Sequence, residues 1–358
     1  MKKIVLTGGG TAGHVTPNIA LLPALQAAGY EIAYVGSYEG IEKKLIADFN
    51  IPYTGISTGK FRRYLDPKNF SDPFRVMKGF VEARNYLKNY QPDVVFSKGG
   101  FVSVPVVRAA ASLHIPCIIH ESDMTPGLAN KLCIPVAEKV CCNFPETMKN
   151  IPADKAVLTG SPIRAELAQG SRLAGLNMCG FTANKPVIMV IGGSLGAANV
   201  NKAVRDALPK LLEDFQVVHL CGKDKIDNLL LNTPGYKQFE YIKSELKDIF
   251  AMADVVISRA GANAICELLA LKKPNILIPL PAASSRGDQL LNAASFEAQG
   301  YSIVLNEDDI TTNLLVDKVH ELYFNRQNYV DAMSKSHQMD AVKTIMELIN
   351  AAADKETN

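Results

Sequence analysis

The chain has 358 residues, 47% hydrophobic and 21% charged, a balance that excludes a disordered protein. A formal charge of +2 gives no overall pull towards nucleic acid, and no apolar run reaches the ~18 residues that cross a bilayer. The seven cysteines, an odd number with no Cys-x-x-Cys pair or zinc-like spacing, read as reduced core thiols of a cytosolic protein, and the opening residues lack the pattern of a secretion signal.

Residues 4–7 read as a first strand, Gly8-Gly9-Gly10-Thr11-Ala12-Gly13-His14 as a glycine turn, and 17–28 as a helix with proline in its first turn. A second strand covers 31–36. It ends Tyr34-Val35-Gly36-Ser37, without the acid that holds a ribose in Rossmann dehydrogenases, which argues against a nicotinamide cofactor. Residues 60–88 carry eight Lys or Arg against three acids, net +5, with interleaved aromatics. Arg62, Arg63, Phe74, Arg75 and Lys78 there suit an anionic membrane surface. The same stretch also reads as a helix packed on its own domain through Phe74, Met77, Val81 and Leu87, with a solvated basic face.

Asp93-Val94-Val95-Phe96-Ser97-Lys98-Gly99-Gly100 is followed by a helix and a strand over 117–121. The first of these echoes Asp254-Val255-Val256-Ile257-Ser258-Arg259-Ala260-Gly261, just as 4–10 echoes 187–193. This duplication predicts two Rossmann-like α/β domains, each a doubly wound parallel sheet with helices on both faces. The seam falls between 143–145 and 160–162, which gives a first domain over 1–160 and a second over 161–335, with a closing segment over 336–358. Residues 164–186 read as irregular. In the second domain, strands are expected over 187–191, 216–220, 239–242, 254–258 and 275–280. Helices are expected over 263–271 and after 285–289. A last helix carries Met339, Val342, Ile345, Met346 and Ile349 on one face.

Open α/β sheets bind ligands at the carboxyl ends of their strands, so two domains facing across a cleft would hold one ligand each. The second domain offers the Gly192–Ala197 turn and a helix after Gly261 whose free N–H groups favour a phosphate. Glu267 lies about one turn into that helix, where a carboxylate can accept from two sugar hydroxyls; it also reads as an ordinary surface residue. Asp288 and Gln289 add polar groups. The first domain offers Gly8–Gly13 and Lys98-Gly99-Gly100 as phosphate cradles. His14, beside a helix N-terminus, is a candidate general base or a structural cap of the turn. No Asp-x-Asp pair is present to hold a metal on a diphosphate, so helix dipoles and N–H groups would take the leaving-group charge and no protein-bound metal or other cofactor is expected.

Seven motifs occur in order: GGGTAGH (8–14), SKGGFVSVP (97–105), HESDMTPGLANK (120–131), GSPIR (160–164), GGSLGA (192–197), SRAGANAICE (258–267) and GDQLLNA (287–293). Together they resemble the peptidoglycan N-acetylglucosaminyltransferases of glycosyltransferase family 28, which have the GT-B fold. The resemblance implies UDP-N-acetylglucosamine as donor and lipid I, a lipid-linked muramyl-pentapeptide diphosphate, as acceptor. It implies a single inverting displacement giving lipid II, at the cytoplasmic face of the bacterial membrane, with no nucleic acid involved. It further implies His14 as the base, with Thr11, Ala12 and Gly13 beside the donor sugar. Gly9, Gly10, Lys98, Gly99 and Gly100 would hold the acceptor diphosphate. Asp123, Arg164, Ser194, Ile242, Glu267 and Gln289 would meet the donor: Arg164 and Ser194 its diphosphate, Ile242 the uracil, Glu267 the ribose and Gln289 the sugar hydroxyls. The closing helix would cross back to the first domain. Two positions depart from the family pattern: Ala12 replaces a loop glycine, and Asp123 stands where many members have Asn. Three other readings share the architecture or the ligand: a diacylglycerol sugar transferase, a non-hydrolysing UDP-sugar epimerase and a non-catalytic nucleotide-sugar binding module.

Overall fold

The structure, a computed structural model, describes residues 1–59, 68–193, 197–282, 287–336 and 340–355, with side chains of 68–73 excepted. Arg62, Arg63, Ser194, Ser285, Arg286 and Met339 lie outside the described residues.

The chain divides into two units, Met1–Arg164 with Asp340–Asn358, and Ala165–Met339. The first unit begins β1 (Lys3–Thr7), α1 (Thr16–Ala27), β2 (Glu31–Ser37), α2 (Ile41–Ile46), β3 (Tyr53–Ile56) and α3 (Lys68–Tyr90). It continues β4 (Val94–Ser97), α4 (Ser103–Ser112), β5 (Cys117–Glu121), α5 (Leu128–Cys133), β6 (Lys139–Cys142), α6 (Pro145–Met148) and β7 (Ala156–Leu158). The second unit begins α7 (Arg172–Cys179), β8 (Val187–Ile191), α8 (Ala198–Asp214), β9 (Gln216–Leu220), β10 (Tyr236–Phe239), α9 (Leu246–Met252) and β11 (Val255–Ser258). It ends α10 (Ala262–Ala270), β12 (Asn275–Leu277), α11 (Asp288–Ala298), β13 (Ser302–Val304), α12 (Thr312–Phe324) and α13 (Arg326–Ser334). A closing helix, α14 (Ala341–Ala353), returns to the first unit.

Both sheets are parallel throughout their described strands. The first has the order β3-β2-β1-β4-β5-β6-β7 and the second β10-β9-β8-β11-β12-β13. Alternate strand residues feed opposite faces, the period-two pattern of a sheet buried on both sides. In the first unit Val5, Val35, Val95 and Ile119 join one core with α3, α4 and α5, while Ile4, Leu6, Tyr34 and Phe96 join another with α1 and α14. Ile345, Ile349 and Ala352 of α14 belong to that second core, and Tyr30 donates to Asn350 at 2.8 Å.

Four expectations change. The strand anticipated over 239–242 runs instead over Tyr236–Phe239, because left-handed Gly235 ends the preceding turn and brings Tyr236 opposite Val217. Ile242 therefore lies in the following turn. The strand anticipated over 275–280 stops at Leu277. The segment read as irregular holds α7, capped by Ser171 and closed by left-handed Gly180. Gly175 inside it hides the helical pattern, and a side chain there would strike the backbone of Asp248. Finally, α3 is rotated from the packing reading. Phe74, Met77 and Val81 point outward, 75%, 68% and 55% exposed, and Phe80, Ala83 and Leu87 face the core. Gly79 sets this rotation: any side chain there would collide with the Ser57 carbonyl.

Each unit buries a neutral histidine. His120 is held far below its usual range by burial and then by the neighbouring Lys98 ammonium; His219 is pushed down to about 3 by burial and then by Arg205. An unfolded imidazole takes up its proton first, near pH ~6.5. The stability these rings contribute is thus complete above that pH and is lost as pH falls, for His219 down to about 3. Thermal midpoints should drop between pH ~6.5 and ~4, as the unfolding free energy falls by up to about 1.4 kcal/mol per pH unit for each ring. His219→Gln should flatten this slope; an unchanged slope would exclude that imidazole as its source.

Candidate active site

Strand order reverses beside β1 in the first sheet and beside β8 in the second, so the crevices open outside the carboxyl ends of β1/β4 and β8/β11. The glycine motifs sit at these two places. In register, Thr7 pairs with Ser97 and Ile191 with Ser258, the last residues before each turn. Lys98 N–H donates to Thr7 at 2.9 Å and Arg259 N–H to Ile191 at 3.4 Å, so the two halves repeat even the backbone bond that ties their turns.

In the first unit the two loops touch. Gly9 N–H donates to the Gly99 carbonyl at 3.3 Å, and a side chain on Gly100 would collide with the Gly9 carbonyl and crowd the His14 ring. Gly10 and Gly100 both have φ of +85°, conformations that favour glycine. Gly10, Thr11 and Ala12 are exposed, and Gly13 and His14 half-buried. His14 lies on a 3-10 turn, Ala12–His14, just ahead of α1. Its Nδ1 is 3.1 Å from the Gly9 carbonyl and 3.1 Å from Thr11 Oγ1. A carbonyl only accepts, so Nδ1 carries the hydrogen in that contact, and a neutral ring then keeps its lone pair on Nε2.

Lys98 does not reach out of its loop. Its side chain is buried and its ammonium donates to His120 Nδ1 at 2.8 Å and to the Ser122 hydroxyl. His120 Nε2–H in turn donates to the Gly160 carbonyl at 2.9 Å. The Lys98 charge therefore stands beneath the loop, where it acts on its surroundings through its field and not by a contact at the loop surface. Asp123 sits on the loop after β5, one strand further out. Its N–H donates to Glu121 at 2.9 Å and its carbonyl accepts from Thr147 at 3.1 Å. Arg164, half-buried, is the last residue of this unit before the chain leaves it.

In the second unit the side chain of Arg259 also turns inward, donating to the carbonyls of Ile278 at 3.1 Å and Pro279 at 3.3 Å. Its other nitrogen forms an ion pair with Glu307, and Glu307 accepts from Asn199 in the first turn of α8 at 2.6 Å. One buried pair thus ties together the turns after β11, β12 and β13 and the start of α8. Gln289, in the first turn of α11, accepts from Leu280 N–H at 3.1 Å, and Asn292 donates to the Ala260 carbonyl at 3.2 Å. Glu267 is half-buried on α10, and buried Ile242 follows β10. Glu267, Gln289 and Ile242 all lie on segments that follow strands at the carboxyl edge of the second sheet.

Sequence reasoning missed the carboxylates that hold these loops. Glu42, wholly buried, accepts from Gly10 N–H at 3.1 Å and from Ser37 N–H at 2.9 Å. Glu121 accepts from Asp123 N–H, Gly127 N–H and Asn130, closing the 122–127 loop. Glu307 is the third. The only sequence trace of Glu42 is its glycine-rich surroundings, since side chains at Gly9, Gly36 or Gly40 would collide with its side chain.

The chain matches the glycosyltransferase family 28 N-terminal domain over residues 4–142 and the family 28 C-terminal domain over residues 187–349. It is 65% identical to a UDP-N-acetylglucosamine–N-acetylmuramyl-(pentapeptide) pyrophosphoryl-undecaprenol N-acetylglucosamine transferase of Lachnospira eligens, covering 98% of this chain and 99% of that one. The enzyme of the same name from Lachnoclostridium phytofermentans is 64% identical, covering 98% of each. Among solved structures, Acinetobacter baumannii MurG superposes with a TM-score of 0.77 at 29% identity, covering 98% of this chain and all of that one. With both domain types matched in order and relatives this similar over nearly their whole length, the chain belongs to glycosyltransferase family 28.

Proposed function

We propose that this protein is an inverting glycosyltransferase that moves N-acetylglucosamine from UDP-N-acetylglucosamine to the C4 hydroxyl of the muramyl sugar of lipid I, giving lipid II for peptidoglycan. The observation that carries the mechanism is the His14 ring, whose Nδ1 contact with the Gly9 carbonyl leaves the base lone pair on Nε2. The acceptor oxygen attacks the anomeric carbon, the bond from that carbon to the UDP oxygen breaks, and the hydroxyl proton passes to His14 Nε2. UDP leaves with the bonding pair. The N-terminal ends of α8 and α10, neither of which has a side-chain cap among the described residues, offset its charge. Ser194 and Arg164 meet the donor diphosphate, Ile242 the uracil and Glu267 the ribose. Gln289, with Thr11, Ala12, Gly13 and Asp123, borders the transferred sugar. The loops of Gly9-Gly10 and Lys98-Gly99-Gly100 take the acceptor diphosphate, with the buried Lys98 charge beneath.

The reaction needs no protein-bound metal on this reading. Incubation with UDP-N-acetylglucosamine and a short-chain lipid I analogue in EDTA should give the β-1,4-linked disaccharide. Epimerised UDP-sugar would favour an epimerase, a glycosylated diacylglycerol the neutral-lipid enzyme, and ligand binding without turnover a binding module.

The protein works at the anionic cytoplasmic face of the membrane as a peripheral enzyme. Among the described residues no helix is long and apolar enough to cross a bilayer. The support for surface docking is the outward stripe of α3, where exposed Phe74, Met77 and Val81 are flanked by exposed Arg75, Lys78, Arg84 and Lys88. Each cation near an anionic surface contributes about 1 kcal/mol. Replacing Arg62, Arg63, Arg75 and Lys78 by serine should therefore weaken binding to phosphatidylserine-containing vesicles by about 10³-fold at low salt. Full retention on vesicles would make the stripe ordinary surface.

A further inference from the structure

Glu42 and His14 are joined by one peptide group. The N–H of Gly10 donates to Glu42 Oε2 at 3.1 Å, and the carbonyl of the same peptide, that of Gly9, accepts from His14 Nδ1 at 3.1 Å. The other carboxylate oxygen takes the N–H and hydroxyl of Ser37, at 2.9 and 2.5 Å. Burial by itself would raise the Glu42 carboxyl, but the hydrogen bonds from Ser37, from its own N–H and from Gly10 outweigh it and hold the group below the usual carboxylate range. The charge is therefore fixed beneath the loop. A peptide whose N–H points at a carboxylate has a more negative carbonyl oxygen, and hydrogen bonds in such a chain strengthen one another.

The surroundings preserve this line. Gly9, Gly36 and Gly40 leave room for the carboxylate, left-handed Gly10 turns its N–H towards it, and Gly100 leaves room for the Gly9 carbonyl and the ring. From beneath, Tyr34 donates to the Gly8 carbonyl at 2.7 Å.

We propose that Glu42 is a positioning residue for the His14 base, acting through the Gly9–Gly10 peptide. It holds the Nδ1–H tautomer and the ring direction, as the carboxylate of a hydrolase triad does by direct contact. The inference rests on the reading of His14 as the base.

The test is a double-mutant cycle with kcat and KM measured separately on the whole enzyme. In Glu42→Gln the single amide oxygen can accept from Gly10 N–H or from Ser37 N–H but not from both, and the charge beneath the Gly9–Gly10 peptide is lost. Glu42→Gln should lower kcat by about 10–10²-fold while KM for UDP-N-acetylglucosamine stays within about twofold. In a His14→Ala background the same change should cost nothing further. Ser37→Ala, which leaves the Oε2 contact with Gly10 in place, should keep kcat within about twofold even if it lowers the melting temperature. Should Glu42→Gln fail to fold, as judged by its thermal unfolding, Glu42→Asp serves instead: its shorter arm withdraws from Gly10 and should lower kcat about tenfold. Unchanged kcat in the folded variant, or full loss persisting without the imidazole, overturns the proposal and leaves the base assignment standing. Near-normal kcat in His14→Ala overturns both.

Discussion

Replacing His14 by alanine is expected to lower kcat by about 10²–10⁴-fold, the range for removal of a general base, while the affinity for UDP changes little. The separation follows from the architecture. His14 belongs to the first unit, on the turn between β1 and α1, whereas the turns read as gripping the nucleotide belong to the second. The two quantities are measured independently, kcat by turnover of a lipid I analogue and UDP affinity by calorimetry. If UDP binding collapses while the residual kcat is high, His14 is a structural cap of its turn. His14→Gln is the sharper variant, because it retains a donor to the Gly9 carbonyl but has no basic nitrogen.

Glu307→Ala should destabilise the second unit by about 3 kcal/mol and lower its unfolding midpoint by roughly 10 °C. The ion pair of Arg259 and Glu307 is well enclosed, with side chains only 10% and 7% exposed. Removing the acid leaves a guanidinium that cannot shed its proton, with the carbonyls of Ile278 and Pro279 as its hydrogen-bond partners among the described residues. It also frees Asn199, so the start of α8 loses its tie to the β13–α12 turn. The donor KM should rise several-fold, although Glu307 is assigned no contact with the donor. Because the cost is that of an orphaned charge, Arg259→Met combined with Glu307→Leu should recover much of the stability lost in the single variant. A double variant as unstable as the single one would place the loss in the loop packing rather than in the charge.

Much of the fold was legible because parallel strands buried on both faces leave short β-branched runs, as in Cys117–Glu121, Val187–Ile191 and Gln216–Leu220. The echo of DVVFSK in DVVISR likewise located β4 and β11 beside the two glycine strands. Edge strands were harder to read. Tyr236–Phe239 pairs on one side only, so its half-polar pattern was read three residues late. Helix α7 was hidden by Gly175, whose reason is a neighbour 73 positions along the chain.

The sequence by itself determined the strands at the centre of each sheet, their order and the glycines at both switch points, because these follow from local propensity and from periodicity. Tertiary structure alone decided which side chains those glycines serve. Lys98 looked like a phosphate ligand in its loop, yet it folds inward, as Arg259 does in the matching turn, because a neighbouring strand or loop offers partners the chain order does not display. Glu42, an unremarked acid on a short helix, became the anchor of the first loop for the same reason: its carboxylate is shared by residues 5 and 32 positions away, and only the packed sheet brings them within hydrogen-bond reach.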